Sequence, residues 1–600
     1  MSSQTAQEGK AGSALKAWVR ALEKTAPIAQ NATQTLPLLI DSLGERFGDA
    51  PALLSPGKVL TYRALAERSR RYASWAHRQG LSSGDVVCLM MPNCPEYLAI
   101  WLGITRVGAI VALLNTNLVG DSLAHAINVV TPKHVIVDAT LVDLVADLKS
   151  RLSPSTLIWA HGENGPGLPR VDREVDVEAV LNGTRTEYRL PTLADRALYI
   201  YTSGTTGLPK AVNVSHFRLM QWSHWFAGMM DTRPEDRIYN CLPMYHSVGG
   251  VTAIGAALVN GASVEIRERF SASHFWEDVV ESRCTIFQYI GELCRYLVKT
   301  APHPAEMQHR LRLACGNGLS ADVWDTFQRR FHVPQILEFY AATEANFSLF
   351  NCEGKVGAIG KIPSFLRQRL SVALVKFDHD AQAPLRAEDG QCVRCSTNEV
   401  GEAISHIVED TASGGGRFEG YADKAATEKK ILRNVFAKGD AWYRSGDLMR
   451  KDESGFFYFV DRIGDTFRWK GENVSTVEVA AQVTSFPEVA EAVVYGVTIP
   501  GNEGRAGMAA AVVRDNFDLA AFRRHLVDRL PEYARPLFLR IRDGIDATAT
   551  FKPQKTDLGA DSYDTSTTTD AIYFNDPVRQ AFVKIDSELL EKIRAGRIRL

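Results

Sequence analysis

YIYTSGTTGLPK, residues 199–210, sets four hydroxyl side chains, Thr202, Ser203, Thr205 and Thr206, around Gly204 and Gly207, directly after an apolar run of strand character. Glycines at those spacings let the backbone turn so that its N–H groups face inward, the hydroxyls add donors, and Lys210 brings one positive charge. A strand that ends in such a turn is suited to a polyphosphate. It is not the loop of the P-loop nucleotidases, which needs GxxxxGK[ST]: here Lys210 follows Pro209 and precedes Ala211.

The rest of the chain bounds what this loop belongs to. At 600 residues the chain exceeds what one core supports, so two large units are expected. A net charge of −2 and a pI near 6.7 carry no electrostatic footprint for nucleic acid. The longest apolar region, Val86 to Leu118, is interrupted by Pro92, Pro95, Glu96 and Arg106 and reads as buried α/β core rather than a membrane span. The start, MSSQTAQEGKAGS, has no basic residues followed by an apolar stretch, so the cytoplasm is the expected compartment. Nine cysteines make an odd, scattered set that describes no disulfide framework, and the CxxC pair Cys392/Cys395 lacks the second half of a zinc site.

Apolar strand-like runs (Val86 to Met91, His134 to Val137, Ser263 to Ile266) alternate with helical patterns (Tyr62 to Gln79, Phe275 to Ser282) from about residue 36 to 460, which argues for an α/β fold. From about residue 465 a smaller α+β unit begins: a helix near Thr476 to Ser485, a run Ala490 to Val497, the turn PGNEGRAG, a run Met508 to Val513 and a helix Leu519 to Leu530. The expected division is an extension 1–35, a large domain 36–463 and a mobile C-terminal domain 464–600, with Gly464 as hinge. In the extension, Leu15, Trp18, Val19 and Leu22 form one helical stripe flanked by Lys16, Arg20 and Lys24. Packing on the body and peripheral membrane contact are both open to it.

Four further segments carry chemistry. In EFYAATEAN (338–346), Tyr340 offers a face to a purine, Thr343 a hydroxyl to a phosphate, and Glu344 a carboxylate to Mg²⁺. In YRSGDL (443–448), Asp447 follows Gly446 and is read in a turn, where its carboxylate suits a ribose diol. DRIGDTFRWKGENV (461–474) carries Arg462, Lys470 and the turn Gly471-Glu472-Asn473, and TATFKPQK (548–555) carries Lys552 and Lys555.

In this order the segments resemble the adenylate-forming superfamily of acyl-CoA synthetases, adenylation domains and firefly-type luciferases, from about residue 45 to the C-terminus. PMYHSVGG (243–250), GELCRYL (291–297), CGNGLSADVW (315–324), DRIGDTFRWKGENV and FKPQK are similar in particular to the fatty acid transport protein and very-long-chain acyl-CoA synthetase branch. The resemblance implies a large multi-subdomain adenylating domain hinged to a small α+β domain. It implies ATP, Mg²⁺ and CoA as reaction partners and a long fatty acid as substrate. Thr202 and Glu344 would hold Mg²⁺ on the ATP phosphates. Ser203, Gly204, Thr205, Thr206, Gly207 and Lys210 would line the pyrophosphate. Tyr340 would stack on adenine, Thr343 bond the α-phosphate, and Asp447 with Arg462 hold the ribose. His246 would lie near the acyl carboxylate, Lys470 and Gly471 along the CoA path, and Lys552 would bridge carboxylate and α-phosphate.

The implied reaction needs no protein nucleophile. A carboxylate attacks the α-phosphorus of ATP, an anion approaching an anion, so neutralisation and alignment are what the protein supplies. The CoA thiol then attacks the adenylate. Two departures stand out: Gly464 replaces the Asp or Lys that many relatives carry at the hinge, and Phe551 precedes Lys552 where Gly is usual, leaving Lys555 as a rival. A lipid-binding or uptake protein, a sterol, bile or aryl acid substrate, and a non-CoA acceptor remain alternatives. The segment LGADSY (558–563) mimics a carrier-domain serine motif but follows the small domain too closely to be one. Chain length and oligomeric state are not legible.

Overall fold

Val86 to Leu118 folds as strand Val86–Met90, helix Pro95–Arg106 and strand Ile110–Leu113, with every strand residue buried. Parallel strands covered by helices on both faces read as unbroken apolar runs, and these do. The computed structural model describes residues 2–163, 167–181, 188–202, 208–379, 381–408, 417–502, 504–546 and 555–598. The chain divides into two compact units, Met1–Ser371 with His406–Leu432, and Val372–Ser405 with Arg433–Leu600.

The first unit holds two sheets. One runs in the order Leu157–His161, His134–Asp138, Val86–Met90, Ile110–Leu113, Arg196–Thr202, Lys210–Ser215, parallel until the final antiparallel pair. The other runs Gly360–Lys361, Ser348–Asn351, Ile336–Ala341, Leu313–Asn317, Ile286–Ile290, Arg237–Asn240, Ser263–Ile266, Pro51–Ser55, Lys58–Thr61. Its central pairs are parallel and its outer pairs antiparallel. The motif segments follow the carboxyl ends of strands in both sheets, where open α/β sheets bind ligands.

The N-terminal stripe is rotated from its expected setting. Helix Ser2–Thr25 buries Ala14, Ala17, Trp18 and Ala21, whereas Leu15 and Val19 are 52% and 39% exposed. Trp18 makes edge contacts with Trp225 and Phe350, each at 5.8 Å between centroids. Small residues win this face because the helix lies so close to helix His216–Met230 that a Cβ on Gly228 would stand 2.4 Å from Ala21 Cα. Arg20 donates to Gly228 O at 3.1 Å and Lys24 to Asn260 Oδ1 at 2.9 Å, so two of the flanking cations are used within the protein.

The second unit begins with a sheet ordered Val372–Val375, Gly401–His406, Ala441–Lys451, Phe456–Arg462. Asp447 is not in a turn, as the Gly-Asp pair suggests, but within the long strand Ala441–Lys451, paired with Arg462 across the ladder. Gly446, at φ +78°, kinks that strand without ending it. Hairpin Phe467–Trp469/Glu472–Val474 follows, turning at Lys470 and Gly471, both of positive φ (51° and 82°), the geometry of a tight two-residue hairpin. Last comes the expected α+β fold: strands Val489–Val497, Ala506–Val513, Phe538–Arg542, Ala571–Asp576 and Ala581–Lys584 in that order, over a core including Val479, Met508, Phe522 and Phe538. Helices Thr476–Thr484 and Leu519–Arg529 stand within a residue of their expected ends.

Gly228→Val is expected to prise the N-terminal helix away, because the obstructing atoms are backbone. Limited proteolysis should cut within residues 1–25 at least several-fold faster than in wild type, while the thermal midpoint of the remaining fold moves little; equal cleavage rates would refute the close-packing account.

Candidate active site

Strands Arg196–Thr202 and Lys210–Ser215 are an antiparallel pair that sets Thr202 opposite Lys210, and the Gly/Ser/Thr-rich stretch lies between them in sequence. Of that stretch's candidates, Ser203, Gly204, Thr205, Thr206 and Gly207 lie outside the described residues, as does Lys552. What holds the pair's outer strand is a remote segment, 417–422. Ala422 N–H donates to Ala211 O at 2.9 Å and Asn213 N–H to Gly420 O at 3.0 Å, with Val212 bridged to Tyr421. Glu419 accepts from the Ser215 hydroxyl at 2.6 Å and the Ser215 N–H at 2.8 Å. The same Ser215 caps helix His216–Met230 through Arg218 N–H, so one carboxylate fixes the strand end and the helix start together.

That segment carries Tyr421 into the site. Its ring lies 5.9 Å from Lys210 Nζ and its hydroxyl donates to Glu344 Oε1 at 3.0 Å. Burial, with Glu344 adding to it, pushes the Tyr421 phenol well above its ordinary range, so it remains a donor at every working pH. Glu344 is 9% exposed, and among the described residues no cation is paired with it.

Each residue of 343–346 has its own anchor. The Thr343 hydroxyl is 3.1 Å from the Ser247 hydroxyl, Glu344 takes Tyr421, Ala345 O accepts from the Arg218 guanidinium, and Asn346 Nδ2 donates to His406 O at 2.9 Å. Tyr340 precedes them at the strand end, half-buried, its ring 5.6 Å from that of Phe347. Ser247 brings PMYHSVGG into the same place. That segment is shaped by Asn93, which donates to Leu242 O at 2.9 Å and accepts from Met244 N–H at 2.8 Å, and by Asn240, which donates to Gly249 O at 2.9 Å. It winds into a π-helical turn, Val248–Thr252, a form often found at functional sites. His246 is half-buried there, its ring 4.7 Å from that of Tyr245.

In the second unit, Arg462 Nε and Asp447 Oδ1 stand 3.7 Å apart, with Asp447 8% exposed. Asp461 accepts from the Thr476 N–H at 2.6 Å and its hydroxyl at 3.0 Å. Burial raises its carboxyl pKa even though Lys555 and these donors pull the other way. Gly464 has φ +99° and open space around it. Lys555 Nζ donates to Asp465 Oδ2 at 3.0 Å and Thr476 Oγ1 at 2.8 Å, and Lys470 pairs with Glu532 at 3.1 Å.

The donor set tests the implied magnesium. Thr202 and Glu344 offer oxygen only, as a hard divalent ion requires, and Glu344 is a buried carboxylate that meets a neutral hydroxyl and, among the described residues, no cation. That fits an ion whose other ligands are phosphate oxygens and water. Among the described residues no cluster of three or more His, Cys, Asp or Glu would hold a metal without a substrate. Sequence reading missed Glu419, Tyr421, Ser247, Asn93 and Arg218. Only the aromatic after a glycine in FEGYAD hinted at one of them, because these contacts join positions far apart in the chain, 204 residues for Ser215 and Glu419.

The AMP-binding enzyme family profile matches residues 41–382 and the AMP-binding enzyme C-terminal domain profile residues 478–552. Long-chain fatty acid transport protein 1 of Mus musculus is 39% identical over 573 residues, 94% of this chain and 88% of that protein. Long-chain fatty acid transport protein 6 of Homo sapiens is 38% identical over 557 residues, 92% and 89% of the two chains. In fold, the chain resembles the anthranilate CoA ligase AuaEII in complex with anthranoyl-AMP (TM-score 0.74, 20% identity, 88% of this chain and 98% of that one). It also resembles ATP-bound MatB from Rhodopseudomonas palustris (TM-score 0.73, 22% identity, 89% and 99%).

Tyr421→Phe removes the donor to a buried carboxylate, a loss of about 1.5 kcal/mol or roughly tenfold. The dissociation constant for MgATP, measured by calorimetry, should rise by that factor with the fold intact. An unchanged constant would make Tyr421 a packing residue only.

Proposed function

Because the chain belongs to the AMP-binding enzyme family, we propose that it is an AMP-forming fatty acid–CoA ligase acting on long or very long chains. It would join a carboxylate to ATP as acyl-AMP with release of pyrophosphate, then pass the acyl group to the CoA thiol with release of AMP. The observation that carries this reading is the convergence of Lys210, Tyr421, Glu344, Thr343 and the Ser247–His246 turn at the carboxyl ends of strands. The choice of a fatty acid is supported by the similarity to long-chain fatty acid transport proteins along most of the chain.

In this reading Lys210 lies along the pyrophosphate and Thr343, oriented by Ser247, meets the α-phosphate. Tyr421 keeps Glu344 turned toward the phosphates by donating to one oxygen and leaving the other for the ion. Magnesium bound with ATP would neutralise phosphate charge, with Thr202 and Glu344 as its protein ligands. Tyr340 stacks on adenine, and Asp447 with Arg462 grips the ribose. Lys552 is the adenylating lysine. Lys555 is a poorer candidate for that task because its ammonium is engaged by Asp465 and Thr476. The domain boundary at 463/464, the hinge at Gly464 and a CoA path by Lys470 and Gly471 belong to the same proposal. No described helix is long and apolar enough to cross a membrane. Peripheral contact through the exposed Leu15 and Val19 remains part of the proposal, as does a cytoplasmic location.

The test is AMP and acyl-CoA production from ATP, CoA and a panel of carboxylic acids from C6 to C24 plus a bile acid and an aryl acid. A long fatty acid should give equal AMP and acyl-CoA, and Lys552→Ala should lower adenylation about 10²- to 10³-fold, the usual effect of removing one well-placed charge donor. AMP without acyl-CoA would point to another acceptor. Preference for the bile or aryl acid would replace the fatty substrate, and silence on every acid would favour a lipid-binding protein.

A further inference from the structure

Glu338 takes no part in the chemistry outlined above, yet it is 1% exposed and holds three donors. One oxygen accepts from the backbone N–H groups of Gly318 and of Leu319, the latter at 3.1 Å, and the other accepts from the Tyr289 hydroxyl. Glu338 and Tyr340 are two apart on strand Ile336–Ala341 and therefore share a face. The carboxylate thus ties the turn after strand Leu313–Asn317 to the face that presents Tyr340. The neighbouring backbone is cut to fit. A Cβ on Gly316 would stand 2.5 Å from Tyr289 Cδ2, blocking the ring's path to Glu338, and one on Gly291 would stand 1.8 Å from Gly318 O.

We propose that Glu338 is a positioning residue for nucleotide binding: ionised, it draws the Gly318 and Leu319 amides in and sets the turn beside Tyr340, and protonated, it loses the Tyr289 donation and lets the turn relax. This rests on the adenylating reading of the site. With the proton on the oxygen that meets Tyr289, that oxygen becomes a donor, and the other, no longer sharing a negative charge, accepts from the Gly318 and Leu319 amides more weakly than the carboxylate does.

Burial pushes the Glu338 carboxyl up to about 8, against the pull of Tyr289, Leu319 and Gly318. The other titratable groups facing it are Tyr289, Cys294 of helix Gly291–Lys299 and Cys315 of strand Leu313–Asn317, all raised well above their ordinary values, first by burial and then by the Glu338 charge. Across the ladder stands Asn351, whose amide is spent on Lys355 O and Ala358 O. Beside Cys294, Arg295 pairs with Asp322 at 3.1 Å and with Glu292 at 3.5 Å, and nearer in sequence Arg330 pairs with Glu306 at 2.9 Å. Around neutral pH, Glu338 is the group in this set that changes charge. Its raised value also fixes the sign for stability. The folded chain keeps a proton that the unfolded chain has released, so the stability from this group is full below the ordinary carboxylate range and is lost as pH rises to about 8.

The test is calorimetric binding of MgATP to the full chain across the range from neutral to about two units above it, for wild type, Glu338→Gln and Tyr289→Phe. The ratio of wild type to Glu338→Gln cancels titration of the nucleotide itself. Wild-type affinity, so normalised, should climb by up to roughly tenfold per pH unit before levelling near the carboxyl's own titration. Tyr289→Phe should keep the climb but move its midpoint to higher pH, since losing a donor disfavours the charged form. It also carries the test if Glu338→Gln does not fold. Superimposable wild-type and Glu338→Gln profiles, or a midpoint unmoved by Tyr289→Phe, would overturn the inference while leaving the adenylating reading in place. Absence of MgATP binding by wild type at every pH would overturn both.

Discussion

The hydrogen bond from Tyr421 to Glu344 joins two stretches 77 residues apart, and the arrangement of the first unit's site depends on it and on its three neighbours. Thr343, Glu344, Ala345 and Asn346 are each held by a different part of the chain: the turn at Ser247, the segment at Tyr421, the helix at Arg218 and the backbone at His406. A loop pinned once pivots; a loop pinned at four successive residues from four directions has no soft coordinate left. Such anchors act on one short loop, so their energies couple rather than add. This is the preorganisation that charge-neutralising chemistry requires, because dipoles already aimed need no reorganisation when charge develops.

The buried carboxylates of the protein fall into two groups. Glu402 is fully buried and gripped by Arg444 through contacts of 2.7, 3.0 and 3.2 Å, and Asp236 is held by Arg312 at 2.6 and 2.9 Å. Each is neutralised by a guanidinium. Among the described residues, Glu338, Glu344 and Asp461 have hydroxyl and amide donors only. Burying a charge without a counter-ion is among the larger penalties available to a fold. It recurs at two positions of one motif segment, Glu338 and Glu344, and once in the second unit at Asp461.

The second unit follows the same economy of anchors. Asp461, buried against Thr476, and Lys555, tied to Asp465 and Thr476, enclose the stretch containing Gly464. The glycine itself has open space around it.

Local chemistry made much of this legible. Alternating apolar runs and helical stripes placed the strands Val86–Met90 and Ser263–Ile266 and the helices Tyr62–Arg78 and Leu519–Arg529 to within a residue or so, because period and end signals are written in adjacent residues. The Gly/Ser/Thr-rich stretch, Tyr340, Thr343, Glu344, Asp447 and Arg462 stood out for the same reason. Asp447 was misread as a turn because a Gly-Asp pair says nothing of the strand that will lie beside it. Of the N-terminal stripe Trp18 packs on the body, while Leu15 and Val19 are turned outward because apolar size, the sequence signal, lost to the closeness of approach that Ala14, Ala17 and Ala21 allow. The sequence by itself determined the α/β and α+β elements and the chemistry of each motif. Only the tertiary structure decided that Tyr421 keeps Glu344, that Glu419 sets the strand pair, and that Glu338 holds the turn at Gly318, since each of these is a contact between residues whose separation along the chain no local pattern encodes.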